Sequence, residues 1–375
     1  MTKKKPLILL LALLAVFALV AAACGDSDDD GDSSASASET EASDDTETTE
    51  ADDEEAMEDD EEAMEDDAED TEEAADEGGV FRVAVVAPSA SNDLAFSQSI
   101  VDAVNAVAEN RELEIDITDG TFIVEDAAAA IRGYAEDDYD LVIAHGSQYG
   151  APLEEIAADF PEVSFAWGTA VDTFGLPNVH AYTTRSDQGG YVLGTIAAQL
   201  TESNTIGVVG PIEVGDAKLY VDGFVNGVGV QDDGVTVNVN YIESFSDVAL
   251  ASEAAEAHLS NGADALTGTA QMVVGATGVA NENDIPWFGT QSNQTALGED
   301  IVVASQVYKW EVILEEMIAG IEGGTLGGEV YTLTFANGGL VIEYNDAYDL
   351  DPAIKEAADA TVAGISDGSI ETGVE

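Results

Sequence analysis

Polar and aromatic side chains gather at the ends of short apolar runs in this chain. Segments 88–93, 145–149, 268–271 and 289–294 follow such runs and carry hydroxyl, amide and carboxylate groups. The large aromatic residues near these run ends are Phe96, Tyr149, Trp167, Trp287 and Tyr308. Hydrogen-bonding groups beside aromatic rings can sandwich a flat heterocycle or, as the less favoured alternative, cage a quaternary ammonium. The sequence therefore predicts a cleft that binds a small molecule, unless the tryptophans are ordinary core residues.

Groups that could perform catalysis are scarce. The chain has three histidines and one cysteine, which are His145, His180, His258 and Cys24. It has no Gly-x-Ser-x-Gly or His-Glu-x-x-His motif and no Cys/His spacing suited to zinc. Gly207, Gly210 and Gly215 lack the spacing of a phosphate-binding loop and are interpreted as turn glycines. We therefore expect a binding protein instead of an enzyme, with no catalytic residue, metal or cofactor.

The elements that must position these residues alternate between two kinds of segment. From Phe81 onward, ten short β-rich runs are separated by Ala-rich stretches with helical spacing. Such alternation predicts an α/β fold with parallel sheets covered on both faces, and two similar halves indicate two Rossmann-like lobes. The stretch Val330–Tyr344 predicts a β-hairpin that turns at 337–339, and Pro352–Ala363 a final helix. Ligands of such folds bind beyond the carboxyl ends of the strands.

The first residues of the chain have the pattern of a secretory signal. Lys3, Lys4 and Lys5 precede an apolar run from Leu7 to Val20, which is too short for a permanent membrane span. Small residues then lead to Cys24, a pattern that resembles a bacterial lipobox, although Ala21 stands where Leu is usual. We expect a lipoprotein signal peptide over residues 1–23 and lipidation of Cys24. The alternative is an ordinary cleaved signal with an incidental cysteine.

Charge divides the rest of the chain into a linker and a folded part. Residues 24–79 contain 29 acidic residues and no basic residue, which predicts a disordered acidic linker, with a cation-binding tail as the less favoured alternative. Residues 80–375 contain 48 acidic and seven basic residues. This surface excludes nucleic acid and anionic lipid as electrostatic partners. It suits a protein that stays soluble at high ionic strength, so a saline habitat is a hypothesis.

Short motifs follow one another in a specific order along residues 80–375. They are Asn92–Gln98, Ala158–Phe165, Pro177–Val179, Gly189–Gly194, Ile206–Gly210, Asp222–Gly227, Gly262–Ala265 and Ser305–Lys309. This ordered set resembles the basic membrane protein family of substrate-binding lipoproteins. Those proteins serve ABC importers, and the studied members are mostly purine-nucleoside receptors. The resemblance implies the type I periplasmic-binding-protein fold.

That fold implies two lobes joined by a three-segment hinge. We expect lobe I to contain residues 80–185 and 293–325, and lobe II to contain residues 186–292 and 326–375. The chain is expected to cross between the lobes near Thr184–Ser186, Thr290–Asn293 and Gly324–Glu329. Hinge closure of the lobes would enclose the ligand.

The resemblance also implies roles for individual side chains. Asp93 would contact the polar edge of the ligand, Phe96 would stack on its ring and Lys309 would reach ribose hydroxyls. Open alternatives are core packing for Phe96 and a carboxylate partner for Lys309. The full candidate set for ligand binding is Asp93, Phe96, Ser97, Tyr149, Trp167, Gln271, Gln291, Asn293 and Lys309.

Three of these residues depart from the family pattern. Gln291 and Asn293 stand where the family has carboxylates, and Ser97 stands where it has Asn. A carboxylate accepts bonds from both hydroxyls of a ribose, whereas an amide offers one acceptor and one donor. The replacements predict a cleft with less negative charge and a ligand that presents an acceptor or carries no diol.

The prediction for function combines the anchor with the cleft. We expect a lipid-anchored, extracytoplasmic and monomeric protein that captures a purine nucleoside or related heterocycle and delivers it to an ABC transporter permease. One alternative is a surface lipoprotein that senses its ligand and docks on a signalling receptor. Another is a binder of a free base, an amide or a betaine.

Overall fold

The computed structural model describes residues 79–374, which form two six-stranded sheets flanked by helices. The strands are β1 Phe81–Val86, β2 Leu113–Thr118, β3 Leu141–Ala144, β4 Ser164–Gly168, β5 Val179–Thr184, β6 Thr205–Gly210, β7 Thr236–Tyr241, β8 Ala265–Gly268, β9 Trp287–Gln291, β10 Val302–Tyr308, β11 Val330–Leu333 and β12 Leu340–Tyr344. The helices are α1 Phe96–Ala108, α2 Val124–Glu136, α3 Gly150–Asp159, α4 Ser186–Leu200, α5 Gly215–Gln231, α6 Val248–Ser260, α7 Val273–Glu282, α8 Glu311–Glu322 and α9 Pro352–Ser366.

The two sheets repeat one strand pattern. The first has the order β11-β5-β4-β3-β1-β2, and the second has the order β12-β10-β9-β8-β6-β7. Every pair in both sheets is parallel except β10 with β12. We call the first sheet with its helices lobe I and the second lobe II. The predicted α/β fold with two Rossmann-like lobes is confirmed.

Strand burial follows from the position of each strand in its sheet. The inner strands β3 and β8 are buried at every residue, and Val83–Val86 of β1 are buried as well, because helices cover both faces of a parallel sheet. The edge strands β2 and β7 have no fully buried residue. The long apolar runs seen in the sequence are therefore the central strands that fix the two cores.

Helix α5 contains four glycines, of which only Gly215 was interpreted as a turn glycine. Gly223 and Gly227 serve a close contact with α4. An ideal Cβ on Gly223 would lie 2.2 Å from the carbonyl oxygen of Asp187, and one on Gly227 would lie 2.0 Å from that of Tyr191. On α4, a Cβ on Gly190 would likewise lie 2.3 Å from the Tyr220 carbonyl oxygen. The missing side chains let the two backbones approach closely, which offsets the low helix propensity of glycine.

Two of the three expected crossings lie elsewhere along the chain. The crossing at Thr184–Ser186 joins β5 of lobe I to α4 of lobe II, as expected. Strand β10 pairs with β9, so residues 302–308 belong to lobe II and the second crossing follows at 309–310, not at 290–293. Helix α8 packs on α1 and β11 pairs with β5, so the chain stays in lobe I beyond residue 325 and recrosses at 334–339.

The predicted hairpin over Val330–Tyr344 is wrong for the same reason. Strand β11 adds to lobe I in parallel with β5, whereas β12 adds to lobe II antiparallel to β10. The Asn337–Gly339 turn, in which Gly338 has φ +74°, reverses the chain between the lobes. Turn residues determine a reversal of direction, but the partner strand of each arm depends on which sheet edge is free.

Some expectations concern residues that the structure does not describe. The signal peptide over 1–23, Cys24 and the acidic linker up to Gly78 lie outside residues 79–374. Within the described residues, none of the helices combines the length and apolar character that crossing a bilayer requires. In the same range, no three His, Cys, Asp or Glu side chains converge in a group that could hold a metal ion.

Candidate ligand-binding site

A cavity lies between the two lobes, at the carboxyl ends of the parallel strands of both sheets. Lobe I contributes Pro88, Phe96, Phe122, Gly146, Ser147, Gln148 and Thr169, and lobe II contributes Val214, Gly215, Asp216, Ala217, Phe245, Ala270, Gln271 and Gln291. This is where open α/β sheets bind ligands. Of the predicted site residues, the structure brings Phe96, Gln271 and Gln291 together around this cavity.

Phe96 is held in the cavity wall by a buried histidine. The Phe96 and His145 rings stack with centroids 3.9 Å apart and an interplanar angle of 16°. His145 Nε2 lies 3.1 Å from the Phe96 carbonyl oxygen and its Nδ1 lies 2.7 Å from the Tyr182 hydroxyl. Burial lowers the pKa of His145 to about 3, so the ring is neutral, with Nε2 donating and Nδ1 accepting. A neutral imidazole with hydrogen bonds at both nitrogens thus fixes the orientation of Phe96.

Gln291 combines an unusual backbone with an unpartnered side chain. It ends β9 with φ +73°, in the left-handed region that favours glycine. The residue is 3% exposed, and its Oε1 is buried without a hydrogen-bond partner among the described residues. Next to it, Ser292 Oγ donates to the Ala95 carbonyl oxygen of lobe I over 2.8 Å. Strained, buried polar residues cluster at ligand sites.

Asp216 is a cavity residue that the sequence analysis did not identify. It is the second residue of α5, directly after Gly215, whose φ is +53°, and it lines the cavity beside Gln271 and Gln291. Its Oδ2 is buried without a partner among the described residues. Burial raises the pKa of Asp216 to about 6, and the backbone N–H groups of Ala217 and Asp216 together with the Tyr308 hydroxyl partly oppose that rise. The signal that could have found it is its place after β6, at the carboxyl end of a central strand.

The two amide replacements predicted a cleft with less negative charge. The cavity nevertheless keeps a carboxylate. Among the described lining residues, Asp216 supplies a carboxylate and no lysine or arginine balances it. Three amides, Gln148, Gln271 and Gln291, supply donors and acceptors. The aromatic surface comes from Phe96, Phe122 and Phe245. The site therefore suits a neutral or cationic ring system better than an anion.

Asp93 and Ser97 do not line this cavity; they organise the start of α1. Asp93 Oδ1 accepts from the backbone N–H groups of Ala95 and Gln98 at 2.9 and 3.0 Å, and Oδ2 accepts from that of Ser97 at 3.1 Å. The Ser89 hydroxyl donates to the same carboxylate over 2.6 Å. Ser97 is fully buried, with its Oγ 2.6 Å from Ser89 Oγ. These contacts satisfy a helix N-terminus.

Tyr149 and Trp167 lie behind the cavity wall. Tyr149 is fully buried and donates to the Thr121 carbonyl oxygen over 2.9 Å. Trp167 Nε1 donates to the Gly146 carbonyl oxygen over 3.1 Å, and its ring stacks on Phe174. Both residues support the loop at Gly146–Gln148 that lines the cavity. Trp287 is fully buried core, as its alternative reading proposed.

Lys309 and Asn293 lie in a second, adjoining pocket. Lys309 Nζ pairs with Glu343 Oε1 at 3.1 Å, and Asn293 Nδ2 donates to Glu343 Oε2 over 2.8 Å. Gln291 lines both pockets and separates them. The structure thus gives Lys309 the carboxylate partner that was its open alternative, and it does not bring Asn293 to the main cavity.

The remaining histidines supply no catalytic pair. His180 is fully buried in β5, and burial lowers its pKa to about 4. His258 Nε2 lies 3.1 Å from the Val208 carbonyl oxygen inside lobe II, and burial lowers the pKa of this ring as well. None of the three histidines lines the cavity. Their neutral rings are structural parts of the two cores.

Comparison with known proteins finds relatives that match most of the chain. The chain is 24% identical over 273 residues to a purine-binding protein of Brucella abortus, covering 73% of this chain and 75% of the relative. It is 23% identical over 254 residues to the transcriptional activator protein med of Bacillus subtilis, covering 66% of this chain and 78% of the relative.

A solved structure shows the same fold. An ABC transporter solute-binding protein from Conexibacter woesei superposes with a TM-score of 0.65 at 24% identity, covering 78% of this chain and 98% of its own. A family model described as ABC transporter substrate-binding protein, PnrA-like, matches residues 80–365. Members of that family act outside the cytoplasm, where they bind small molecules for delivery to a permease, and they are not enzymes. The chain therefore belongs to the Bmp family of ABC transporter substrate-binding proteins.

Proposed function

We propose that this protein captures a purine-type heterocycle, as a free base or nucleoside, between its lobes and delivers it to an ABC importer. The observation that carries the proposal is the cavity at the carboxyl ends of both sheets, with Phe96 in its wall and no basic side chain among its described lining residues. The purine-binding relative supports the same ligand class.

The lining groups match the two surfaces of such a ring. Phe96, Phe122 and Phe245 offer apolar faces on which a flat heterocycle can stack. Gln148, Gln271 and Gln291 each offer one carbonyl and one amino group to its polar edge. A phosphate or carboxylate on the ligand would meet the Asp216 carboxylate without a compensating cation, so nucleotides are excluded.

The size of the cavity favours a compact ligand. Its volume is about 120 Å³, below the range of roughly 300–1,000 Å³ typical of sites for drug-sized ligands. At this separation of the lobes a free base fits better than a nucleoside. A nucleoside would require the lobes to stand further apart, by a hinge motion about the three crossings.

The N-terminal residues suggest how the protein is held near its transporter. We propose that Cys24 carries the lipid and that the acidic segment up to residue 79 is the linker to the folded part. Two acyl chains on one residue hold a protein at a bilayer stably without a membrane-spanning helix. Replacing Cys24→Ala should move the protein from the membrane fraction to the medium. Unchanged membrane association would contradict the anchor.

The proposed ligand class can be tested by calorimetry on the full chain in detergent. We expect binding of purine bases or nucleosides and no binding of glucose, glycine betaine or nucleotides. Phe96→Leu should weaken that binding by about 5- to 150-fold, because stacking on a base contributes roughly 1–3 kcal/mol. Phe335→Leu is the matched control, since Phe335 is a buried core residue that does not line the cavity. Binding of glucose or betaine alone would overturn the ligand class.

Transport and sensing are separated by an uptake measurement. If the protein serves an importer, deleting it should abolish cellular uptake of the labelled purine. Uptake that persists unchanged, together with tight binding by the purified protein, would favour the alternative role as a ligand sensor.

A further inference from the structure

Two acceptor oxygens at the cavity have no partner in the described part of the chain. They are Oε1 of Gln291 and Oδ2 of Asp216, both of which are buried. Both residues line the cavity, and both belong to lobe II. An unpaired buried acceptor destabilises the protein, and it does so more strongly when it is charged. This destabilisation is removed when a ligand supplies the missing donors.

The backbone of each residue is held in place. Gln291 has φ +73°, and its neighbour Ser292 is bonded to lobe I through the Ala95 carbonyl oxygen. Asp216 follows Gly215 with φ +53°, and its own carbonyl oxygen accepts from Ser186 Oγ over 2.5 Å. The two acceptors are therefore presented by a fixed frame, which is what specific recognition requires.

No charge on the surrounding elements neutralises Asp216. On α5, Lys218 pairs with Asp222 at 2.6 Å and with Glu213 at 3.5 Å. On α4, Asp187 is occupied by Arg185 at 2.8 Å. The groups that face the Asp216 carboxylate are the backbone N–H groups of Asp216 and Ala217 and the hydroxyl of Tyr308 on β10, and none of them carries a positive charge. A bound ligand is thus the available source of compensating positive charge.

We propose that Asp216 and Gln291 form a donor-selecting edge, which makes the cavity prefer an amino-substituted heterocycle to its oxo analogue. This inference rests on the proposed function. An exocyclic amine has two hydrogens and can donate one to each acceptor, whereas a ring carbonyl would face them with its own lone pairs. A site built for a donor rejects the analogue that lacks it, because its buried acceptors are then left unpaired. Burial raises the pKa of Asp216 to about 6, so the group is still ionised at pH 7.5 and can accept hydrogen bonds from the ligand.

The test compares two probes, adenine and hypoxanthine, which share the purine frame and differ in an amino and an oxo group. We expect the full chain to bind adenine at least tenfold more tightly at pH 7.5, and Asp216→Asn to reduce that preference to less than threefold. Asp222→Asn is the matched control, since Asp222 lies on the same helix outside the cavity lining, and it should keep the wild-type preference. Thermal unfolding of each variant establishes that it is folded.

The outcomes separate this inference from the proposed function. Equal affinity of the wild type for both bases, or an undiminished preference in Asp216→Asn, overturns the donor-selecting edge and leaves the purine site standing. Binding of neither base and of no purine nucleoside overturns both. A preference that Asp216→Asn removes and Asp222→Asn retains supports the inference.

Discussion

The rings of Phe96 and His145 stack at 3.9 Å with an interplanar angle of 16°. The contact joins the cavity wall at the start of α1 to the end of β3, so the aromatic surface offered to a ligand is backed by the core of lobe I. His145 can do this because burial keeps it uncharged and both of its nitrogens are bonded. The neutral histidine is therefore part of the support of the cavity wall.

Buried histidines should make the protein lose stability in mild acid. Burial lowers the pKa of His145 to about 3 and that of His180 to about 4. The unfolded chain takes up protons near pH 6.5 while the folded chain does not, so stability is lost as pH falls below 6.5. Asp216, with a pKa raised to about 6, acts oppositely: its folded form gains relative stability as pH falls from about 6 towards 4.

The measurement for this expectation is urea denaturation between pH 7 and 5. His145→Gln should flatten the dependence of the unfolding free energy on pH by about 1.4 kcal/mol per pH unit below pH 6.5. The comparison uses slopes, so a uniform loss of stability in the variant does not matter. Identical slopes for the two proteins would contradict the assignment.

The close contact of α4 with α5 should not tolerate a side chain at Gly223. An ideal Cβ there would lie 2.2 Å from a backbone oxygen, so Gly223→Ala forces the helices apart and should cost about 3 kcal/mol. Gly229 lies on the same helix with open space around it. Gly229→Ala should therefore stabilise the protein by about 0.5–1 kcal/mol. Equal effects of the two variants in thermal unfolding would rule out the packing argument.

The left-handed backbone at Gln291 should lower the stability of the protein, while its side chain raises the affinity for the ligand. Gln291→Gly relieves a left-handed conformation and should stabilise the protein by about 1 kcal/mol, while ligand affinity falls at least tenfold. Asp284, with φ +56° on an exposed turn, is the control, since Asp284→Gly should give a similar gain with unchanged affinity. The pair is followed by chemical denaturation and calorimetry, and retained binding in Gln291→Gly would remove this residue from the site.

Lys309 should contribute little to the affinity of the protein for a free base. Its ammonium group pairs with Glu343 outside the main cavity, so Lys309→Met should change the affinity for adenine by less than about threefold. The family resemblance implied a contact with ribose instead, so the same variant is also titrated with adenosine. A tenfold loss of affinity for adenosine alone would support a contact between Lys309 and the sugar in a more open arrangement of the lobes.

The sequence by itself determined the class of the fold and the edge at which the ligand site lies. Strands such as β3 and β6 are short, apolar and covered on both faces, so their composition identifies them without their neighbours. Phe96 and Gln271 follow strands of the two sheets and Gln291 ends one, so chain topology alone takes them to the carboxyl edges of the parallel sheets. Periodicity and strand ends were therefore sufficient for these three residues.

Only the tertiary structure decided which groups face the cavity and which strands share a sheet. Asp93 and Asp216 both follow central strands. The Asp93 carboxylate accepts hydrogen bonds from backbone N–H groups at the start of α1, whereas Asp216 has an oxygen without a partner. Residues 302–308 and 330–333 read as strands, but their sheets were fixed by the edges left free in each lobe. The close contact of Gly223 and Gly227 on α5 with the backbone of α4 likewise involves a partner that lies distant in sequence. Hydrogen-bond competition, free edges and close packing are non-local, so a local pattern does not contain them.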